Sequence, residues 1–569
     1  KGALRPARRD RAQREGAPVT APALERPRAD ARAWPAASPV VIAFAAGLVA
    51  LALRLAWMPG FGGTDDVVYA TRGLEIAAGL WRPGTHIGEM RYGINLPIAL
   101  FVRLFGRSDV ALTLWSLASS AFEVALVAWF AATFWGRRAA VAAAALLAVA
   151  PMHLILGGRT LADAPLGMLI TLAFVAFAAA EHSHRRATYI VAGLAAGACW
   201  WIKPTVAVPL YFALALYPLA LWRWNGRWGW FALGAALPVA AEPAFLGLAF
   251  GDPLYTLKAL FPFLAHHREY TGDPMWGSNS PWFYFERMFV DGRDLALLPP
   301  LAVAGALLAV RDRWKSGRLD DATRHVLYWA AALIGVFSFF VFSLHPLRFI
   351  PKQENYESIF VAPLALLGGL ALARLRAPAR WGWLALAAVA GLGLAGIEQQ
   401  ALRQKASRLQ QAAEFALAQA GTPVLMSGQT VSYARMRELA GRLPALPNAL
   451  PLRELDATAR RLGAAAALAD PASPALYLVD EPSTPERSDA TLAPRIERLL
   501  RCGRPVARFE PQAGGVGTVA LAAAGWLRSR LPGVLARRLG FVDPLLAPPA
   551  ARAVAVPSKC LAAEAGDAR

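Results

Sequence analysis

The chain has 569 residues, of which 56% are hydrophobic and only 17% are charged. Soluble domains carry about a quarter charged residues, whereas the apolar residues here gather into blocks of about twenty, the length that crosses a bilayer core. The net charge of +20 lies mostly in the N-terminal tail and in short loops between these blocks, without the basic stripe of a nucleic-acid surface. The composition therefore excludes a soluble nucleic-acid-binding protein and predicts a polytopic membrane protein.

The first 37 residues are rich in Arg, Ala and Pro and contain no apolar stretch. Such a composition cannot bury a core, so residues 1–37 are predicted to be a disordered, basic cytoplasmic tail. The first apolar block, Val40–Trp57, is too long for the core of a signal peptide and lacks a small-residue cleavage site. We therefore expect it to be a retained membrane anchor.

A transmembrane domain is predicted over residues 38–397, with about eleven helices by the twenty-residue criterion. The predicted spans are 38–57, 110–134, 139–156, 161–180, 187–202, 204–221, 229–250, 294–310, 325–344, 357–373 and 381–397. Arginines recur in alternate loops, on the same side as the N-terminal tail, and the positive-inside rule makes that side cytoplasmic. The outer loops 58–109 and 251–293 then lie on the opposite face.

Residues 398–569 are predicted to form an α/β domain on the extracytoplasmic, periplasmic side. Short apolar runs typical of strands alternate there with helical stretches, at 423–426, 475–479, 506–509 and 516–522. The fold prediction is thus a mainly α, polytopic membrane protein with an α/β domain at its C-terminal end. Cys502 and Cys560 lie in that domain, where an oxidising compartment would allow a disulfide; two unpaired thiols are the alternative.

Charged residues on the predicted outer face come from widely separated parts of the chain, and such residues usually mark function or partnered packing. Asp65 and Asp66 open the first outer loop, Asp163 begins a helix, and Lys203 follows another. We expect them to converge on one cavity. For the acidic pair the alternative is capping of the helix that follows, and for Lys203 it is snorkelling toward lipid head groups.

Asp163 and Glu123 also have simpler, structural interpretations. Asp163 either caps its own helix, whose first turn contains a proline, or forms an ion pair with Arg159. Glu123 lies in the middle of a predicted membrane helix. We expect Glu123 to hydrogen-bond within the helix bundle rather than to act in catalysis.

One group of residues leaves open the possibility of a divalent metal site. His266 and His267 are adjacent in the second outer loop, with Glu89 as the candidate third ligand. Adjacent histidines without a third ligand nearby are a weak metal signal, and loop residues without a metal are the alternative. The sequence calls for no other cofactor.

Six short motifs, taken together, resemble the GT-C superfamily of membrane glycosyltransferases. The likeness is to protein O-mannosyltransferases and lipid A aminoarabinose transferases, of the glycosyltransferase family 39 type, and it covers about residues 40–375. The motifs are Gly63–Ala70, Arg91–Pro97, Arg159–Leu166, Lys203-Pro204, Ser280–Tyr284 and Leu347–Pro351. The chain departs from the family at Val68, where relatives carry an arginine, and at Ile94-Asn95-Leu96, which replaces His-Pro-Pro.

The resemblance implies an inverting hexosyl- or pentosyltransferase. Its donor would be a polyprenyl-phosphate-linked sugar, and its acceptor a lipid, glycan or protein at the outer face of a bacterial-type inner membrane. The implied catalytic residues are Asp65, Asp66 and Asp163, with Asp65 as the base. The implied donor-phosphate cations are Lys203, Arg348, Arg72 and Arg91. The implied substrate-cavity residues are Tyr69, Glu89, Tyr92, His345 and Tyr284.

A transporter or flippase, or a polymerase of lipid-linked saccharides, is the competing hypothesis. Acids at membrane depth and outer cations would line a translocation path as well as an active site. The sequence shows no clear inverted repeat and no paired interrupted helices, which are typical of transporters. We therefore expect the enzyme.

Overall fold

The computed structural model describes most of the chain beyond the N-terminal tail. The described residues are 38–84, 86–221, 224–260, 278–345, 347–419, 421–466, 474–481, 484–512 and 514–561. Helices dominate as far as residue 418, and a small sheet follows. The mainly α prediction is therefore confirmed, with the sheet in the C-terminal part.

The membrane part is built from a series of helices. The long helices are α1 (Pro39–Ala56), α4 (Asp109–Phe134), α7 (Asp163–Ser183), α8 (Arg186–Ile202), α11 (Trp228–Phe250), α13 (Leu298–Ser316), α14 (Asp321–Phe339), α15 (Ser358–Ala373) and α16 (Ala377–Ala418). The shorter ones are α2 (Asp65–Ala77), α3 (Tyr92–Phe105), α5 (Arg137–Val149), α6 (Pro151–Gly157), α9 (Pro204–Ala215), α10 (Tyr217–Leu221) and α12 (Phe283–Glu286). A two-stranded hairpin, β1 (Val341–Leu344) and β2 (Leu347–Phe349), precedes α15.

Six helices in the described ranges are long and apolar enough to cross a membrane. A seventh span results if α5 and α6 count as one, bent by 66° at Ala150-Pro151, where proline cannot continue the hydrogen bonding of the preceding helix. Each of the eleven predicted spans overlaps a helix, but several of these helices, such as the 12-residue α9, are short for a crossing. A multi-pass membrane protein is confirmed, whereas the count of eleven remains a prediction.

Helix α15 lies at the centre of the bundle and is buried along nearly its whole length. Helix α8 packs closely on α11 through glycines: a Cβ atom at Gly193 would lie 2.1 Å from the Phe231 carbonyl oxygen. Small residues of this kind let membrane helices approach each other. This contact fixes the end of α8, and with it Lys203.

A buried network of charged and polar residues, which we call the Arg54 cluster, lies inside the bundle. It consists of Arg54, Ser120, Glu123, His153 and Thr171, each at most 3% exposed. Arg54 donates to the Ser120 hydroxyl (2.7 Å) and the Ala148 carbonyl (3.1 Å). Glu123 accepts from Thr171 (2.8 Å) and lies 3.1 Å from the ring of His153. The expectation that Glu123 hydrogen-bonds within the bundle is confirmed.

The C-terminal part contains a five-stranded sheet of order β4-β3-β5-β7-β6. The strands are β3 (Val424–Met426), β4 (Ala449–Pro451), β5 (Pro474–Asp480), β6 (Arg504–Phe509) and β7 (Ala551–Pro557). Strands β3, β4 and β5 are parallel, and β7 pairs antiparallel with β5 and β6. The helices are α17 (Gly428–Leu439), α18 (Leu455–Ala466), α19 (Pro485–Ser488), α20 (Leu492–Cys502), α21 (Val516–Arg530), α22 (Gly533–Arg538) and α23 (Asp543–Leu546).

Two details of the C-terminal part bear on the sequence predictions. Cys502 and Cys560 form a disulfide, with their Cα atoms 6.2 Å apart. The strand predicted at 516–522 is wrong, because those residues begin helix α21. Alanine and leucine, which favour helix, dominate this stretch after its first residues.

Candidate active site

The first outer loop is held by Asp66. Its carboxylate accepts hydrogen bonds from the backbone N–H groups of Gly62 (2.6 Å), Thr64 (2.8 Å) and Val67 (3.0 Å), and Arg159 lies 3.3 Å away. Burial alone would raise the pKa of Asp66, but the charge of Arg159 and the N–H donors outweigh it and lower this pKa. Asp66 is fully buried, so it orders the loop from inside.

Asp65, by contrast, begins α2 with a side chain that is 53% exposed. Adjacent helix positions point about 100° apart, so the two acids face different surroundings. The Tyr69 hydroxyl donates to Asp65 at 3.3 Å, and Arg91 Nη1 lies 3.6 Å from the same oxygen. Arg91, itself buried, also donates to the Tyr69 hydroxyl. Asp65 is therefore an accessible carboxylate held against a buried cation.

Asp163 and Lys203 form the second half of the site. Lys203 Nζ donates to Asp163 at 3.2 Å, and both side chains are about 4% exposed. Asn355 donates to the same Asp163 oxygen at 3.0 Å, and the Lys203 ammonium lies 4.3 Å from the centre of the Tyr356 ring. The short turn Glu354–Glu357, just before α15, thus closes on the ends of α7 and α8.

Electrostatic interactions join the two halves. Burial raises the pKa of Tyr69 well above its usual value; Arg91 opposes this, while the charges of Asp65 and Asp163 add to it. Burial also disfavours the charge on Arg91, but Tyr69, Asp65 and Tyr356 together raise the pKa of Arg91. We call the six residues that carry these contacts the Asp65 cluster. They are Asp65, Tyr69, Arg91, Asp163, Lys203 and Tyr356.

The turn that carries Asn355 and Tyr356 is anchored by Arg287. This guanidinium lies 2.9 Å from Asp291 and from Glu354, 3.6 Å from Glu357, and also contacts Asp294. Such a many-partner arginine fixes a turn more firmly than a single exposed ion pair. Asn355 and Tyr356 were absent from the predicted site, although they lie only seven and eight residues after Arg348.

The other predicted site residues occupy different places. Arg348 lies in β2, where it pairs in register with Ser343, and the exposed His345 lies in the hairpin turn. Tyr284 is buried, with its ring 5.1 Å from that of Phe360.

Arg72 belongs to a separate network in the first outer loop. It lies 3.1 Å from Glu75, which in turn contacts Arg82, and Arg82 contacts Glu89 at 3.0 Å. The Tyr92 ring packs 5.0 Å from that of Phe245. These contacts link Arg72 to Glu89 through Glu75 and Arg82.

The described residues do not support the metal hypothesis. His266 and His267 lie outside them, and Glu89 is engaged by Arg82. Among the residues that are described, no group of three or more His, Cys, Asp or Glu side chains could hold a metal ion.

A cavity of about 310 Å³, with both polar and apolar lining residues, lies beside the turn that carries Asn355. Two of its lining residues contact the acids described above. Asn355 donates to Asp163, and Arg159 forms an ion pair with Asp66. The cavity wall also includes Arg293, Glu354 and Glu398, and Phe541 and Leu545 close it from the C-terminal part. The cavity therefore offers both hydrogen-bond donors and acceptors, and it adjoins residues that contact Asp163 and Asp66.

Comparison with known proteins supports the family resemblance. Residues 93–243 match the family model described as dolichyl-phosphate-mannose-protein mannosyltransferase. The matched segment includes Asp163 and Lys203 but not Asp65. No curated protein matches the chain in a sequence search.

Three solved structures align with this chain at low sequence identity. ArnT from Cupriavidus metallidurans is 18% identical, with a TM-score of 0.44, over 76% of this chain and 81% of ArnT. The oligosaccharyltransferase AglB from Archaeoglobus fulgidus is 13% identical, with a TM-score of 0.44, over 84% of this chain and 73% of AglB. The arabinofuranosyltransferase AftD from Mycobacteria is 16% identical, with a TM-score of 0.46, over 85% of this chain but 38% of AftD. The family match confirms the resemblance of this multi-pass membrane protein to glycosyltransferases of the GT-C superfamily.

Proposed function

We propose that the protein transfers a sugar from a polyprenyl-phosphate-linked donor to a hydroxyl group of a lipid, glycan or protein acceptor. The observation that carries this proposal is the contrast between the two adjacent acids. Asp66 is buried and fully engaged, whereas Asp65 is half exposed beside the buried cation Arg91. An accessible carboxylate next to fixed positive charge is the combination that sugar transfer from a phosphate needs.

In the proposed reaction Asp65 takes the proton of the acceptor hydroxyl. The acceptor oxygen then forms a bond to the anomeric carbon while the bond from that carbon to the phosphate oxygen breaks. The leaving polyprenyl phosphate keeps the electron pair, and its charge is stabilised by Arg91 and Lys203. A single displacement of this kind inverts the anomeric configuration.

The remaining acids receive positioning roles in this proposal. Asp66 holds the loop that presents Asp65, and Asp163 holds Lys203 and Asn355 in place. Arg348 is retained as a donor-phosphate residue because it lies in the hairpin that leads into the Asn355 turn. Arg72 is left out, because its contacts in the described residues are with Glu75 and Arg82.

We place the acceptor in the 310 Å³ cavity. Its guanidinium, carboxylate and amide groups can donate to and accept from several hydroxyl groups at once. Glu398 of α16 lines this cavity together with Arg159 and Arg293, whose positive charges act on its carboxylate. The lining also has an apolar part, which includes Ile155, Leu394 and Phe541. An acceptor that combines hydroxyl groups with an apolar portion therefore suits this cavity.

The orientation in the membrane is part of the proposal. The arginines of alternate loops favour a cytoplasmic N-terminus, with the Asp65 cluster and the C-terminal sheet on the periplasmic side of an inner membrane. On that side soluble nucleotide sugars are scarce, so a donor that arrives within the bilayer is the natural one.

Mass spectrometry of envelope lipids and glycans, in cells with and without the protein, tests the function. Loss of one sugar from one acceptor, restored by the wild-type chain, supports the transferase and identifies donor and acceptor class together. Unchanged sugar composition with a lipid-linked saccharide trapped on one leaflet would instead support the transporter.

A further inference from the structure

The connection between β6 and β7 is an insertion with three helices, α21, α22 and α23. It packs on α16: Leu521, Ala524 and Val542 form a buried cluster with Ile397. Gln404 of α16 donates to the Leu545 carbonyl at 3.0 Å. The insertion is thus attached to one short stretch of α16.

That stretch is where α16 changes character. From residue 381 to Ile397 the helix contains no charged residue, and from Glu398 onward it carries Glu398, Arg403, Lys405 and Arg408. A membrane-crossing helix makes this change where it leaves the hydrocarbon core. The insertion therefore lies at the level of the lipid head groups.

The outward face of α21 is apolar. Val519 is 71% exposed, Trp526 60% and Leu527 45%, and the alanines at 522 and 523 between them are exposed as well. Positions 519, 523 and 526 lie on one side of a helix. The opposite face of α21 is buried against α16, so α21 is apolar on both sides. Exposing the outward apolar face to water would be unfavourable.

Basic residues border this apolar face. Residues 516–546 contain four arginines and one aspartate. Arg528 pairs with that aspartate, Asp543, whereas Arg530 lies 5.6 Å from the Trp526 ring. Arg537 and Arg538 are both exposed. Tryptophan with arginine beside an apolar face is typical of helices that lie in a membrane interface.

We infer that the apolar face of α21 lies in the interfacial layer of the bilayer that α16 crosses, with Arg530, Arg537 and Arg538 binding the phosphates of anionic lipids. The positive charge and the position at the membrane end of α16 both favour a lipid surface over a protein partner. This inference goes beyond the proposed function and does not depend on it.

The depth of α21 tests the inference directly. The full chain, carrying Trp526→Cys, is spin-labelled and placed in nanodiscs of phosphatidylcholine with phosphatidylglycerol. Cys199 is buried and Cys502 and Cys560 are paired, so the new thiol is the one labelled. Collisions with oxygen, which concentrates in lipid, are then compared with collisions with a water-soluble nickel chelate.

Val506→Cys is the matched control in the same domain. Val506 is 42% exposed on β6; that strand packs through Phe509 on Phe415, about 27 Å farther along α16 than Ile397. We expect position 526 to favour oxygen and position 506 to favour the nickel chelate. Equal nickel access at both positions, or shielding of position 526 from both reagents, would overturn the inference; the second result would indicate a covering protein.

The arginines are tested by charge reversal. Arg537→Glu/Arg538→Glu is compared with Arg460→Glu/Arg461→Glu, an equally exposed adjacent pair on α18. Raising phosphatidylglycerol should increase the oxygen preference at position 526 in the wild type and in the control pair. In Arg537→Glu/Arg538→Glu this dependence should weaken by about tenfold or more. An unchanged dependence would remove the arginines from lipid binding.

Discussion

The Arg54 cluster and the Asp65 cluster both contain acidic and basic side chains but differ in accessibility. In the Arg54 cluster every side chain is buried, and Arg54 and Glu123 are each bonded to several partners. In the Asp65 cluster one carboxylate is half exposed and its contacts are long, at 3.3 and 3.6 Å. A closed network stabilises the bundle, whereas an acid left accessible beside a buried cation can take part in chemistry.

The largest effect on turnover is expected for Asp65→Asn. Loss of a general base lowers the rate by about two orders of magnitude or more, while the loose contacts of Asp65 predict an unchanged melting temperature. The transfer rate of the purified full chain is measured by following sugar transfer with mass spectrometry. Asp456→Asn is the control, because Asp456 is also 53% exposed and paired with an arginine. Near-normal turnover in Asp65→Asn would remove the base and with it the contrast between the clusters.

A smaller effect is expected for Lys203→Ala, which removes a cation that we propose binds the donor phosphate. We expect kcat/KM for the donor to fall by about thirtyfold, with less change in the KM for the acceptor. The same change leaves Asp163 buried and unpaired, so stability should also fall. The double variant Lys203→Ala/Asp163→Asn separates the two roles: it should recover the melting temperature but not donor use. Recovery of donor use would make Lys203 a packing residue, like Arg54.

Gly63→Ala should lower turnover by roughly fivefold, because small displacements of a reacting group are costly. Gly63 has φ of +73°, and a Cβ there would lie 2.7 Å from a methyl group of Leu409. Gly60→Ala is the control: its φ is +86°, yet a Cβ there would meet no atom within 4 Å. Both variants bear the backbone cost, so equal turnover in the two would show that α16 does not position Asp65.

The smallest effect on turnover is expected for Glu123→Gln in the Arg54 cluster. The substitution leaves Arg54 buried without its counter-charge, which is expected to cost about 3–5 kcal/mol of stability. Turnover per folded molecule should stay close to the wild type. Thermal unfolding measures the stability, and a sugar-transfer assay on the same preparation measures the turnover. A strong loss of turnover without a loss of stability would extend the site into the bundle.

Local sequence patterns predicted much of the fold and part of the site. Apolar blocks placed the membrane helices, and Lys203 and Asp163 could be assigned to helix ends because Pro204 and Pro165 mark those ends. The partners Asn355 and Tyr356 could not be predicted, because their contacts join residues 192 positions apart in the chain for Asn355 and Asp163. Nor could the sequence decide which of two adjacent acids faces inward.

The same limit explains the error at 516–522. Val516, Val519 and the neighbouring apolar residues are compatible with a strand or a helix over seven positions. The longer run of alanines favours the helix. Strand β7 was missed for a related reason: its alanines give a weak strand signal, although the pairing with β5 and β6 places it inside the sheet.

Helix α16 sets both a distance and a phase for the C-terminal part. Its 42 residues run without a break for about 63 Å, from the membrane core past the point where Leu409 lies beside Gly63. Inserting a single residue near its middle would turn everything beyond by about 100° and carry Leu409 away from the loop that leads to Asp65. Inserting a whole turn would restore the direction of Leu409 but move it by about 5.4 Å along the axis. The contact with Gly63 therefore depends on the length of α16 as well as on its rotation.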